Sequence, residues 1–227
     1  TASDLGFVAG PRVNAAGRLA DMSLGIRCLV TDDEREARAL AGELDRMNRE
    51  RRAIEATIEE EALADRDALA SGAEGHASVC VHRESWHQGV VGIVASRLKD
   101  RVHRPVIVFA PGGAGEVRGS GRSIAGFHLR DALDLVSKRE PGLILRFGGH
   151  AYAAGLSLRA ADLPRFAEAF EAVASAALTP EDLELRCETD GELRPGELSI
   201  GLARRLREPL SGPALPPPRF AEPFPPA

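Results

Sequence analysis

Four segments of the 227-residue chain gather residue types that could hold an anion. Gly10-Pro11-Arg12-Val13-Asn14-Ala15-Ala16-Gly17-Arg18 sets two guanidinium groups and an amide among small residues, which would let backbone and side chain approach a negative charge together. It equally reads as a Gly/Pro loop with surface arginines. Arg118-Gly119-Ser120-Gly121-Arg122-Ser123 packs two arginines, two hydroxyls and two glycines into one short run, the ingredients of a phosphate cradle or of a Gly-rich edge strand. It lacks the Gly-Lys-Ser/Thr of a nucleotide-triphosphate loop. Gly148-Gly149-His150 follows an apolar run, so His150 is expected where the backbone turns at a sheet end, a position that ligands favour in α/β domains. A lone histidine is also commonly structural. Trp86-His87-Gln88-Gly89 precedes a helix-like run, and its first three side chains could reach a cleft beside packing residues Val90, Ile93 and Val94.

Groups that break bonds are missing from the sequence patterns. There is no His-Glu-x-x-His, no Asp-x-Asp, no Asp-His-His and no Gly-x-Ser-x-Gly elbow. The acids between Asp32 and Asp67 read as a solvated helix face. The chain therefore looks like a binding half. Its formal net charge of −5 hides an uneven distribution. Residues 32–67 hold thirteen acids against seven arginines, whereas residues 97–146 hold ten Lys or Arg against five acids. The second stretch could form a cationic face. Eight Phe, one Trp and one Tyr are too few for base stacking to dominate, so contacts to phosphate would have to.

The elements that must position these groups are readable from periodicity. Thr31 and Glu34 suggest a capping box, and the residues that follow contain no Pro until well past Ser71-Gly72, where a long helix is expected to end. Leu40, Leu44, Met47, Ile54 and Ile58 form one narrow stripe if Arg51 fills the missing step, which suits a connector between two lobes. From Ala77 the pattern becomes strand (77–82), helix (90–99) and strand (105–110), a βαβ unit. A polar strand or loop (116–122), a helix (127–138), a strand (143–147) leading into Gly148, an extended run (156–158) and a helix (163–178) complete an α/β domain. A β-rich piece near 184–193 and a short helix near 199–207 precede a Pro-rich tail. Hydrophobic residues make up 44% of the chain, which supports a buried core, and no apolar run approaches the roughly 20 residues needed to span a bilayer. Three widely spaced cysteines, Cys28, Cys80 and Cys187, argue against a disulfide framework and for a reducing cytoplasm. The first residues carry neither a leader nor an initiator Met, which reads as a chain cut from something longer.

Taken together, Gly10 to Arg18, Trp86 to Arg97, Gly119 to Ser123 and Phe147 to Gly155, in this order, closely resemble the RecJ family of single-strand-specific 5′→3′ exonucleases. Gly-Gly-His and Ser-Gly-Arg-Ser alone would indicate only the wider DHH phosphoesterase superfamily with its DHHA1 domain. The resemblance covers residues 1–178 most closely. It implies the end of a DHH lobe (1–30), a linker helix (31–71), a mixed-sheet DHHA1 domain (76–178) and a partial, β-rich extension (179–227) associated with an oligonucleotide-binding fold. It further implies that Arg18, Ser120 and Arg122 bind phosphate at the 5′ end, that Gly148, Gly149 and His150 contact the nucleotide or phosphate being cut, and that Asn14 belongs to the same nucleic-acid-binding set, while Trp86, His87 and Gln88, which could reach the cleft, keep an open role.

By the same resemblance the full-length protein would use Mn²⁺ or Mg²⁺ held by an N-terminal DHH lobe outside this chain, in two-metal phosphodiester hydrolysis serving DNA repair and recombination. This chain would bind no metal and be inactive alone. The expected partners are single-stranded DNA and single-stranded-DNA-binding protein, with no membrane and a monomeric state. Two rivals stay open: an oligoribonuclease or cyclic-dinucleotide phosphodiesterase of the same superfamily, and a non-catalytic DHHA1 binding module.

Overall fold

A computed structural model describes residues 2–70, 75–186, 189–194, 196–207 and 218–220. The chain divides into two compact units, Thr1–Glu184 and Leu185–Ala227. The first begins with α1 (Ala2–Asp4), a π-helical turn (Leu5–Ala9), α2 (Gly10–Leu19) and α3 (Ser23–Val30). Residues 10–18 are thus helical, not a loop. Pro11 is tolerated in the first turn, where its missing N–H costs nothing, and Ala15 and Ala16 are small enough to bury against the next helix.

That helix is α4 (Glu34–Ala70), about 55 Å long at 1.5 Å per residue. Asp33, rather than Thr31, caps it: its Oδ1 accepts the backbone N–H groups of Arg35 and Glu36, while Thr31 turns its hydroxyl onto Glu36. The expected stop at Ser71-Gly72 lies outside the described residues. The apolar stripe is used twice. Leu44 and Met47 bury against Ala15 and Ala16 of α2, whereas Ile58 and Ala62 join the core of the α/β domain. Arg51 does occupy the missing step of the stripe and is buried, with its guanidinium on Asn48 and Glu55. The acids of α4 are therefore not all solvated. Glu55 is fully buried and also accepts from Arg97, and Glu59 holds Arg97 and Arg101.

The α/β domain is a five-stranded mixed sheet in the order β1-β2-β3-β5-β4, built from β1 (Val79–His82), β2 (Val106–Gly113), β3 (Glu116–Arg122), β4 (Arg146–Gly149) and β5 (Ala153–Arg159). β1 and β2 are parallel and joined by α5 (Val91–Val102), and the other pairings are antiparallel. Strand alternation sorts β2 cleanly. Val106, Val108 and Ala110 pack under α5 and α4, whereas Ile107 and Phe109 face α6 (Leu129–Arg139) and α7 (Leu163–Ala177). On that second face Phe109 meets Phe166 edge-on with ring centroids 5.6 Å apart, and Phe166 stacks on Phe170. Cys28 and Cys80 are free, and burial pushes the Cys80 thiol well above its ordinary value.

Two expectations about strands change. Gly148 and Gly149 lie within β4, paired with Gly155 and Ala154, and do not follow it. The second unit shows no strand among its described residues, where a β-rich piece was expected. At Gly191 the backbone has φ +113°, a left-handed turn that breaks an extended run. What holds this stretch is a backbone bond from Asp190 N–H to the Arg219 carbonyl, returned by Arg219 N–H to the Asp190 carboxylate. The expected short helix is present as α8 (Ile200–Arg207). No described helix is long and apolar enough to cross a membrane.

Candidate nucleic-acid interface

The site starts from what β3 cannot carry on its inner face. A side chain at Gly119 would place its β-carbon 2.5 Å from the Phe109 ring, and one at Gly121 would come 2.8 Å from Leu129. These glycines are demanded by the core, not by an anion. With the inner positions fixed, alternation puts Arg118, Ser120 and Arg122 together on the opposite face. There α5 crosses closely: a β-carbon at Gly92 would lie 3.0 Å from Ser120 Oγ and 3.3 Å from Arg122 Nη2.

Facing this row are the end of α2 and the β1–α5 loop. Between them is a cavity of about 550 Å³ lined by Arg18, His87, Gln88, Arg118 and Ser120, among others. Arg18 donates through Nη1 to the Gly89 carbonyl at 3.1 Å. Arg118 donates to Gln88 Oε1 at 3.2 Å. His87 Nδ1 accepts from Gly89 N–H at 3.1 Å, which leaves Nε2 as the protonated nitrogen of a neutral ring. Arg122 donates to Ser120 Oγ at 3.2 Å and to the Gly121 carbonyl at 2.8 Å.

The charges here are unbalanced. Among the described residues no carboxylate pairs with Arg18, Arg118 or Arg122, although most other arginines of the first unit sit on acids. The Arg122 guanidinium is pushed below its ordinary value, chiefly by burial and then by the like charge of Arg18. Like charges held together without a counter-charge make a site that gains by taking up an anion, and guanidinium forks suit one that accepts two hydrogen bonds.

The bare face continues across the sheet. Ser120 pairs with Gly155, and Gly155 with Gly148, so the three form a row on one face. Nothing lies within 4 Å of a β-carbon built at Gly148, and at Gly155 only the Gly119 carbonyl does, at 3.8 Å. A ligand there would rest on backbone. Gly149 is different: its φ is +149°, and a β-carbon would come 2.3 Å from the Ala153 carbonyl, so the turn itself requires it. His150 is exposed at the tip of that hairpin, closing it with an N–H bond of 2.8 Å to the Ala153 carbonyl.

Not every candidate gathers at the cavity. Asn14 is exposed one helical turn before Arg18, and His150 stands at the β4–β5 tip. Neither belongs to the lining, and Arg122 reaches it only through Ser120 Oγ. Trp86 is buried and donates its indole N–H to Glu61 at 2.6 Å, so it fastens the loop to α4 and does not stand in the cleft. Arg118, one of the two arginines of the Gly-rich run but not among the residues the resemblance carries over, joins the cavity, as the alternation of 118, 120 and 122 requires. Among the described residues no three His, Cys, Asp or Glu side chains converge as a metal site would need, so no chemical step is assigned to a metal held by them.

Residues 76–176 match the DHHA1 domain family. Over 96% of its length the chain is 50% identical to the single-stranded-DNA-specific exonuclease RecJ of Dickeya dadantii, covering 38% of that protein. It is 48% identical to the Escherichia coli RecJ over 91% of the chain and 36% of the relative. The chain thus spans little more than a third of these curated relatives. Among solved structures, RecJ from Thermus thermophilus in complex with Mg²⁺ superimposes with a TM-score of 0.79 at 34% identity, covering 97% of this chain and 33% of that one. The same enzyme has been solved with Mn²⁺. By these matches the chain, with its DHHA1 domain, belongs to the RecJ family, of whose longer members it represents a part.

Proposed function

We propose that this chain is the nucleic-acid-binding part of a single-stranded-DNA-specific 5′→3′ exonuclease, and that the cavity between α2 and β3 takes the phosphate at the 5′ end. The observation that carries the reading is the convergence of Arg18, Arg118 and Ser120 on one cavity, with Arg122 bonded to Ser120 beside it, and no carboxylate among the described residues paired with the three arginines. Guanidinium forks and a hydroxyl recognise phosphate without reading bases, which suits an enzyme that degrades any sequence. The glycine row from Ser120 to Gly148 would let the adjoining nucleotide lie against backbone, with His150 at its margin. His87 Nε2 and the Gln88 amide would add neutral hydrogen bonds at the cavity rim. Asn14, exposed beside Arg18, is assigned to the DNA strand beyond the cavity.

In this reading hydrolysis uses two divalent ions held outside these 227 residues, as the Mg²⁺ and Mn²⁺ complexes of the T. thermophilus relative suggest. What the chain itself supplies is binding, orientation and neutralisation of charge on the strand. The expectation of a cytoplasmic monomer in DNA repair and recombination, meeting single-stranded-DNA-binding protein, belongs to the same proposal.

The test is fluorescence anisotropy of the chain with single-stranded oligonucleotides bearing a 5′-phosphate or a 5′-hydroxyl, and with short RNA and a cyclic dinucleotide as further arms. Tighter binding of the phosphorylated DNA supports the reading. Equal binding of the two ends refutes the end-recognising cavity, and preference for the dinucleotide or short RNA points instead to the other superfamily activities.

A further inference from the structure

Gly89 touches Arg18 twice. A β-carbon built on it would lie 2.0 Å from the Arg18 carbonyl oxygen and 2.9 Å from the carbonyl carbon. Its own carbonyl accepts Arg18 Nη1 at 3.1 Å. The first contact sets how closely the end of α2 can approach the β1–α5 loop. The second aims one arm of the guanidinium and leaves the remaining donors for the cavity.

Backbone conformation does not call for glycine here, because Gly89 is not among the residues with positive φ. The close approach of α2 does, with the His87 ring of the same loop a lesser neighbour at 3.1 Å. That approach is held from behind: Leu19, the next residue, packs against both the α5–β2 core and the α2–α4 cluster. The Arg18 carbonyl therefore has little room to retreat.

We propose that Gly89 is a positioning residue for the cavity, holding Arg18 opposite Ser120 and Arg122 through its missing side chain and its carbonyl together, and that preference for a 5′-phosphate depends on it. This rests on reading the cavity as a phosphate site. An alanine would have to drive the Arg18 carbonyl back by about 1 Å or more to restore ordinary contact, and misplacing a positioning group by about 1 Å costs on the order of 100-fold in its effect.

The experiment measures Kd for 5′-phosphorylated and 5′-hydroxyl single-stranded DNA with the 227-residue chain, Gly89→Ala, Arg18→Ala and the double variant. Both single variants are expected to lower the phosphate preference, the ratio of the two Kd values, at least about ten-fold. The double variant is expected to bind the phosphorylated strand no more weakly than Arg18→Ala alone, because Gly89 acts through Arg18. A wild-type chain without preference, or Arg18→Ala retaining it, overturns the phosphate reading and the inference with it. Loss in Arg18→Ala but not in Gly89→Ala, or losses that multiply in the double variant, overturns the inference and leaves the cavity reading standing. Trp86 emission and thermal unfolding report whether Gly89→Ala folds. If it does not, Arg18→Lys decides, since it keeps the charge and loses the fork. Undiminished preference with lysine overturns the inference, and its loss supports it.

Discussion

Replacing Arg122 by alanine tests the arginine cluster at the cavity. The side chain is half-buried, bonded among the described residues to Ser120 Oγ and the Gly121 carbonyl, and shares its surroundings with Arg18. A bound phosphate would exchange that repulsion for charge-assisted hydrogen bonds, each worth about 1.5–3 kcal/mol net. Losing one such interaction should weaken binding of 5′-phosphorylated DNA by roughly ten- to 150-fold. Binding of the 5′-hydroxyl strand should change much less. Salt gives a second reading of the same contact. If the cluster neutralises the terminal phosphate, log Kd of the phosphorylated strand rises with log salt more steeply than that of the hydroxyl strand, by about 0.7 per phosphate neutralised, and the variant brings the two slopes together. Anisotropy titrations of both oligonucleotides over a salt series supply both quantities. Equal weakening for the two ends would mean that Arg122 meets an internal phosphate and the end-binding geometry is wrong. An unchanged affinity and slope would remove Arg122 from the interface altogether.

Other features give separate expectations. Gly149→Ala should destabilise the first unit by about 1–3 kcal/mol, because the added carbon meets the Ala153 carbonyl, whereas Gly148→Ala should shift stability by no more than about 0.5 kcal/mol yet weaken DNA binding. Urea unfolding and anisotropy on both variants separate the two roles, and a Gly148→Ala chain that binds normally would take that face out of the interface. Glu55→Ala should cost about 3–5 kcal/mol in urea unfolding by leaving Arg51 and Arg97 without their buried partner. A cost below about 1 kcal/mol would show the cluster to be an ordinary surface pair. Glu171 should shape acid stability. Burial acts to raise its carboxyl, but hydrogen bonds from Ser78, the Ala77 N–H and Ser175, with the charge of His76, outweigh this and hold it below its ordinary value. A depressed folded value contributes stability above the unfolded value of about 4.3 that is lost as pH falls through the folded one. Thermal unfolding of Glu171→Gln between neutral and acid pH should therefore show a flatter acid limb than wild type, and parallel limbs would refute the assignment.

The sequence by itself determined the elements and their order in the α/β domain. The continuous apolar, β-branched run at 106–110 demands burial on both faces, and the period-3.6 runs at 91–102, 129–139 and 163–177 each have one apolar face to bury, which leaves little choice of structure. It also determined that Arg51 would stand in the apolar stripe of α4, since helical geometry alone puts it there. What it could not determine is what an arginine at that step touches. Only the packing of α5 against α4 brings Arg97 to Glu55 and makes a buried cluster out of charges that read as solvated. The same limit explains residues 10–18, where two glycines and a proline suggest a loop but burial of Ala15 and Ala16 against Leu44 and Met47 makes a helix, tertiary contact overriding weak local preference. Trp86 reads as a residue of the strand–helix loop that could reach a ligand, yet a partner 25 residues earlier, Glu61, draws it into the core. In the candidate site, Arg118, Ser120 and Arg122 share a face by strand alternation, which is a local rule. That Arg18 faces them across a cavity depends on α2 docking at Gly89, a contact between residues 71 positions apart, and such long-range approaches are fixed by the shape of the whole core and not by any window of sequence.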